Sequence, residues 1–147
     1  MPIPGVARRY SRPRCAPGGL SEAEAVVALR IGNFAFDCDD VLKVAQFWST
    51  AIDRPLDPGS NQEFASIGGS DADRRDPAWY FEKVPEHKTA KNRLHLDLID
   101  AEPAEVDRLV TLGATIVARH SIGQHGWTVM QDPEGNEFCV AARAFAG

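Results

Sequence analysis

The chain has 147 residues, 44% of them hydrophobic, enough for one domain with an apolar core that needs no disulfide staples. Against 21 Asp and Glu stand only 16 Lys and Arg, and the net charge of −5 argues against a nucleic-acid or anionic-membrane partner, which needs concentrated positive charge. No apolar run approaches the roughly 18 residues of a spanning helix, and Cys15, Cys38 and Cys139 are widely spaced with no CxxC pair. The reading is therefore a cytoplasmic protein with reduced thiols, whose partners are small molecules or a second copy of itself.

The N-terminal "MPIPGVARRYSRPRCAPGG" has basic residues with no apolar stretch after them, so it is not a secretory signal. Residues 1–24 read as a flexible tail, with Arg8, Arg9, Arg12 and Arg14 solvated, and residues 25–147 as the domain. From Ala25, "AVVALRIGNFAFD" is strand material. Phe34, Phe36 and Cys38 share the core parity, and Asn33, Ala35 and Asp37 the opposite one.

A helix follows, capped by Asp39 or Asp40, with Val41, Val44, Ala45, Trp48, Ala51 and Ile52 at helical spacing and Pro55 beyond it. In "DPGSNQEFASIGGSDADRRDP" the turn formers enclose one short strand, "FASIG". "AWYFEKV" is a stronger strand; its Trp79 and Tyr80 read as core. After the polar connector "PEHKTAKN" comes "RLHLDLI", where Leu94, Leu96 and Leu98 should be buried and Arg93, His95 and Asp97 should share the other face. A second helix is expected from Pro103 to Leu112, with Val106, Leu109 and Val110 inward and Gly113 as its stop. Three strands end the chain, "TIVARH", "WTVMQD" and "EFCVAAR", the last two joined by the turn "PEGN". Phe138 and Val140 take the core parity, Glu137 and Cys139 the other.

Written as symbols, the chain is βαβββ twice, the first module over about 25–86 and the second over about 92–145. "FAFDCDD" matches "LHLDLID" at an offset of 60 residues, which sets Ala35 and Asp37 where the second half has His95 and Asp97. The fold class is α+β; the polar faces are either ordinary solvated surface or, if the sheets curl, converge in a cleft.

Those polar faces supply the candidate site. His95 is a general base or hydrogen-bond partner, oriented by Asp97 or Glu137. Arg93 suits a carboxylate or phosphate, and Asn33, Asp37, Trp127 and Cys139 are further ligand-binding candidates.

The paired modules, "FAFDCDDVLKVAQFW", "RLHLDLID" with "RLVTLGATIV", and "DPEGNEFCV" together resemble the glyoxalase and bleomycin-resistance proteins, the vicinal oxygen chelate superfamily. Within it the chain resembles the glyoxalase-like branch common in actinobacteria, over about residues 25 to 143. The resemblance implies two βαβββ modules whose mixed sheets curl around a shared cavity, a homodimer and, if the chain is an enzyme, a lyase or isomerase type of activity. It also implies that metal-dependent members hold an ion on four side chains, one each from the first and last strands of both modules.

Transferred by position, the second-module histidine is His95, the last glutamate's place holds Cys139, and the first-module ligand falls on Asn33 or Ala35. Glu137 lies two residues earlier on the same face, and Glu82 is the remaining candidate, so an ion would need His95 with Glu82, Glu137 or Cys139. That first shell is poor. The expectation is a metal-independent protein without cofactor, enclosing a small polar or aromatic molecule for sequestration or acid/base chemistry. The alternatives are a metal-dependent lyase, isomerase or dioxygenase holding one divalent ion, and a non-enzymatic interaction module.

Overall fold

A computed structural model describes residues 28–72 and 76–142. The expected tail with its four arginines and Cys15 lies outside the described residues. The chain divides into two units, Met1–Arg30 and Ile31–Gly147, and every element below belongs to the second.

Strand β1 (Asn33–Cys38) alternates as expected, with Cys38 buried and Phe34 and Phe36 half-buried. It begins at Asn33; residues 28–32 have no regular structure and are exposed. Helix α1 (Val41–Ala51) starts where the Asp40 carboxylate accepts the Lys43 N–H at 3.2 Å, satisfying one of the donors a first turn leaves free. Its buried face is Val41, Val44, Ala45, Phe47 and Trp48.

Strands β2 (Phe64–Ile67) and β3 (Ala78–Lys83) complete a sheet of order β1-β3-β2, with β1 parallel and β2 antiparallel to β3. The first module is therefore βαββ among the described residues, one strand short of the expected βαβββ. Between β2 and β3 the chain is gathered instead by Asp57, which accepts the Ser66 and Ser70 hydroxyls at 2.6 Å and the Gly69 N–H at 2.7 Å. Such bonds favour a turn over a ladder.

The second module is complete: β4 (Leu96–Ala101), α2 (Glu105–Thr111), β5 (Thr115–Ile122), β6 (His125–Gln131) and β7 (Glu137–Ala142). Its sheet order is β4-β7-β6-β5, with β4 parallel to β7 and the other pairs antiparallel. The fold is α+β with two separate mixed sheets. Two expectations fail here. Val110 is 43% exposed, because the short helix α2 buries only Leu109. Leu94 is 71% exposed, because β4 begins two residues later and residues 93–94 form a bend.

The modules meet at Trp48. Its ring centroid lies 5.1 Å from Trp79 and 5.7 Å from Phe36 in the first module, and 5.0 Å from Phe138 on β7. Burying one such aromatic is worth about 4 to 6 kcal/mol by area. At the other end of α1, the Arg108 guanidinium of α2 donates to the carbonyls of Thr50 (3.3 Å) and Ala51 (3.0 Å), which the helix terminus leaves unpaired.

Candidate functional site

The turn between β6 and β7, "DPEGN", organises one side of the site. Gly135 takes φ +85, a conformation that side-chain-bearing residues rarely adopt. Buried Asp132 accepts the Trp48 indole N–H at 3.0 Å, the Asn136 amide at 2.9 Å, and the backbone N–H groups of Glu134 and Asn136 at 2.9 and 3.0 Å. One residue beyond Pro133, the Glu134 carboxylate accepts the N–H groups of Asp39 (2.9 Å) and Asp40 (2.5 Å) at the entrance to α1. A turn of the second module thus caps the helix of the first.

Glu137 opens β7 and fastens the connector that sequence patterning left as an unassigned polar stretch. Its carboxylate accepts the Asn92 N–H at 2.9 Å, the Lys88 ammonium at 3.1 to 3.2 Å and the Gln131 amide at 3.3 Å. Burial alone would raise its pKa, but hydrogen bonds from Asn92, Lys88, its own backbone and Gln131 outweigh that and hold it at about 2. A carboxylate so stabilised is a weak base, and its geometry is that of a pin.

The pinned connector and β1 enclose a cleft of about 710 Å³. Phe34, Phe36 and Trp48 form its apolar surface, and Asn33, Asp37, Arg93, His95 and Glu137 contribute polar groups. Like Asp37, Glu86 lines it too, and part of its charge is already paired. His87 lies 3.1 Å from Asp39, and Lys88 is held by Glu137. Arg93 lines the cleft with no ion-pair or hydrogen-bond partner among the described residues.

A second grouping lies beside the first. In the β4–β7 register Asp97 faces Cys139, and His95 precedes Asp97 by two residues. A ligating atom from each of His95, Asp97 and Cys139 lies within 4.8 Å of the other two. The Cys139 pKa is raised, by burial first, then by the charge of Asp97 and by the thiol's hydrogen bond to that carboxylate, with Lys91 opposing. Left as a protonated thiol, it is a poor nucleophile. Cys38 is poorer still: burial, then Glu134, Asp132 and Asp37, push its pKa up to about 12.

Of the remaining candidates, Glu82 faces Asp37 across β1–β3, in the other sheet from His95, and does not join the group. Trp127 stacks on His120 at 5.3 Å and lines a separate groove of about 280 Å³ with Val106, Arg119 and Val140. Sequence patterning missed Phe34, Phe36 and Trp48 as cleft residues, because at the mouth between two elements one ring serves both core and cavity.

The family model of the glyoxalase-like domain matches residues 33–141. The chain belongs to this family. No curated protein matches it in sequence. Solved structures share the fold of this glyoxalase-like domain. A glyoxalase/bleomycin resistance protein/dioxygenase family enzyme from Burkholderia phytofirmans PsJN has 16% identity and a TM-score of 0.59, over 80% of this chain and 100% of that one. A glyoxalase/bleomycin resistance protein/dioxygenase from Nocardioides has 13% identity and a TM-score of 0.59, over 84% and 89%.

A mutant of the fosfomycin resistance protein FosX from Listeria monocytogenes, complexed with Mn(II) and 1S,2S-dihydroxypropylphosphonic acid, has 10% identity and a TM-score of 0.62, over 81% and 94%. These structures have the fold expected of the vicinal oxygen chelate superfamily. At 10% to 16% identity they speak for fold alone.

The four-ligand pattern expected for metal-dependent members does not fit this domain. Ala35 carries no donor, an Asn33 amide is a weak one, and Glu82 stands apart. The second module by itself does offer three donors, in His95, Asp97 and Cys139. An ion held there would supply Lewis acidity.

Proposed function

We propose that this glyoxalase-like domain binds a small organic anion in its cleft, with the anionic group on Arg93 and an apolar part against Phe34 and Phe36. The observation that carries this reading is a guanidinium with no partner among the described residues, at the edge of an aromatic-lined cavity of about 710 Å³. Guanidinium groups match carboxylate and phosphonate oxygens in a planar two-point contact. His95, also on the cleft wall, is the imidazole able to take up or return a proton to such a ligand. A cytoplasmic setting fits the free thiols of Cys38 and Cys139. No helix among the described residues is long and apolar enough to cross a membrane.

A thermal-shift screen of aromatic and aliphatic carboxylates and phosphonates should find stabilising ligands, since binding to the folded form raises its melting point. For the best of them, Arg93→Ala should weaken binding about 10- to 100-fold, the worth of hydrogen bonds to a charged group. A neutral ester or amide of the same ligand should lose little. Equal losses for the charged and neutral forms would count against the assignment.

A second reading, a metal-dependent lyase, isomerase or dioxygenase, is favoured by one observation, the convergence of His95, Asp97 and Cys139. Protein purified without chelator should then carry a stoichiometric divalent ion in elemental analysis, and His95→Ala should lose it.

We further propose that the chain works as a homodimer. Ile99 on β4 and Val117 and Ile122 on β5 are exposed on the two edge strands of the larger sheet, where a second copy would cover them. Light scattering should report twice the 16.0 kDa chain mass, and a 16.0 kDa species at micromolar concentration would refute the dimer.

A further inference from the structure

We infer that His95, Asp97 and Cys139 form a one-module site for a thiophilic divalent cation, preferring zinc or cobalt to magnesium or manganese. This rests on the second reading above, that an ion sits beside His95, and adds which class of ion these donors select.

The argument begins with the strands. Parallel pairing sets Asp97 opposite Cys139, so their side chains leave the same face of adjacent strands. His95 has the parity of Asp97 but lies just before β4, outside the regular strand. All three donors are within 4.8 Å of one another. Around a four-coordinate zinc, with bonds of roughly 2.0 to 2.3 Å, neighbouring donors stand roughly 3.3 to 3.8 Å apart. Rotation of the exposed His95 and Asp97 side chains covers that difference, and the backbone of β7 need not move.

Chemistry chooses the ion. Magnesium and manganese favour all-oxygen or oxygen-rich shells, whereas sulfur and imidazole together suit zinc and cobalt. Three carboxylates that would harden the set are held away from it. Glu137 is bound by Asn92, Lys88 and Gln131, Glu134 by the start of α1, and Glu82 belongs to the other sheet. Three protein donors leave at least one position for water or a ligand atom, as in catalytic rather than structural zinc sites.

Cobalt reports sulfur ligation directly, through intense near-ultraviolet thiolate-to-metal absorption. The test uses the full chain with Cys15→Ser throughout, stripped by chelator and titrated with Co²⁺ alone. Expected are one ion per chain, the thiolate band, displacement by equimolar Zn²⁺, and no displacement by a large excess of Mn²⁺ or Mg²⁺. Cys139→Ser should abolish the band and weaken Zn²⁺ binding by more than about 10-fold, since even outer-shell losses cost that much. Asp97→Asn should keep the band and weaken binding. Cys139→Glu should shift preference toward Mn²⁺.

Cobalt bound without the band, or a band unchanged by Cys139→Ser, would overturn the thiophilic assignment and leave the presence of an ion standing. Absence of binding by Zn²⁺, Co²⁺ and Mn²⁺ alike, in protein with native circular dichroism, would overturn both.

Discussion

Asp132→Ala is expected to destabilise the domain by about 3 to 5 kcal/mol, as removal of one partner from a buried charged network does. Asp132 is 3% exposed and accepts four hydrogen bonds, one from the indole of Trp48 and three from its own turn. Alanine would strand the indole N–H in the core and release the turn that holds Gly135 at positive φ. Trp48→Phe removes one of those bonds with part of the ring packing, and should cost less if the turn survives. In urea denaturation the double variant should fall short of the sum by about 1 kcal/mol, the coupling of the shared bond. Strict additivity would mean that the indole bond carries nothing.

The second large effect is on acid stability. The folded-state pKa of Glu137, about 2, lies below its ordinary value of 4.5. A depressed carboxylate contributes stability that is fully present above pH 4.5 and is lost as the pH falls from there toward 2. The whole shift would amount to about 3 kcal/mol, and screening at an open cleft leaves about 1 to 2. Glu137→Gln should therefore unfold at lower urea than the parent at pH 7, with the gap closing as the pH approaches 2. A gap independent of pH would assign the loss to packing. The same substitution frees the connector bearing Lys88, Asn92 and Arg93, so affinity for a cleft ligand should fall with it.

Much of the architecture was legible because it rests on periodicity. Phe34, Phe36 and Cys38, the stripe of α1 around Val44 and Trp48, and the alternation of Phe138 and Val140 each report one buried face. The family followed from motifs in fixed order, with "LGA" after a helix and the "DPEGN" turn specific in combination.

What periodicity does not encode is contact between distant elements. "RLHLDLI" alternates cleanly, yet the chain bends at Arg93 and Leu94 because Asn92 is bonded to Glu137, 45 residues away in sequence. Leu94 is exposed and Arg93 reaches the cleft for that reason. The strand that the first module lacks among the described residues has a similar origin: the symmetry of the repeat suggested it, while Asp57 and its serine partners close a loop there. Parity did set His95, Asp97 and Cys139 on one face, but their convergence depends on the offset between β4 and β7, which only pairing decides.

The bond from Glu134 to the amides of Asp39 and Asp40 carries a consequence for dynamics. The same residue lines the cavity, so the link between the two modules and the wall of the binding space are one object. Any occupant pressing on that wall must slow the opening of those two amides. Proton–deuterium exchange at positions 39 and 40 would therefore act as a built-in occupancy gauge, readable before the occupant's identity is known.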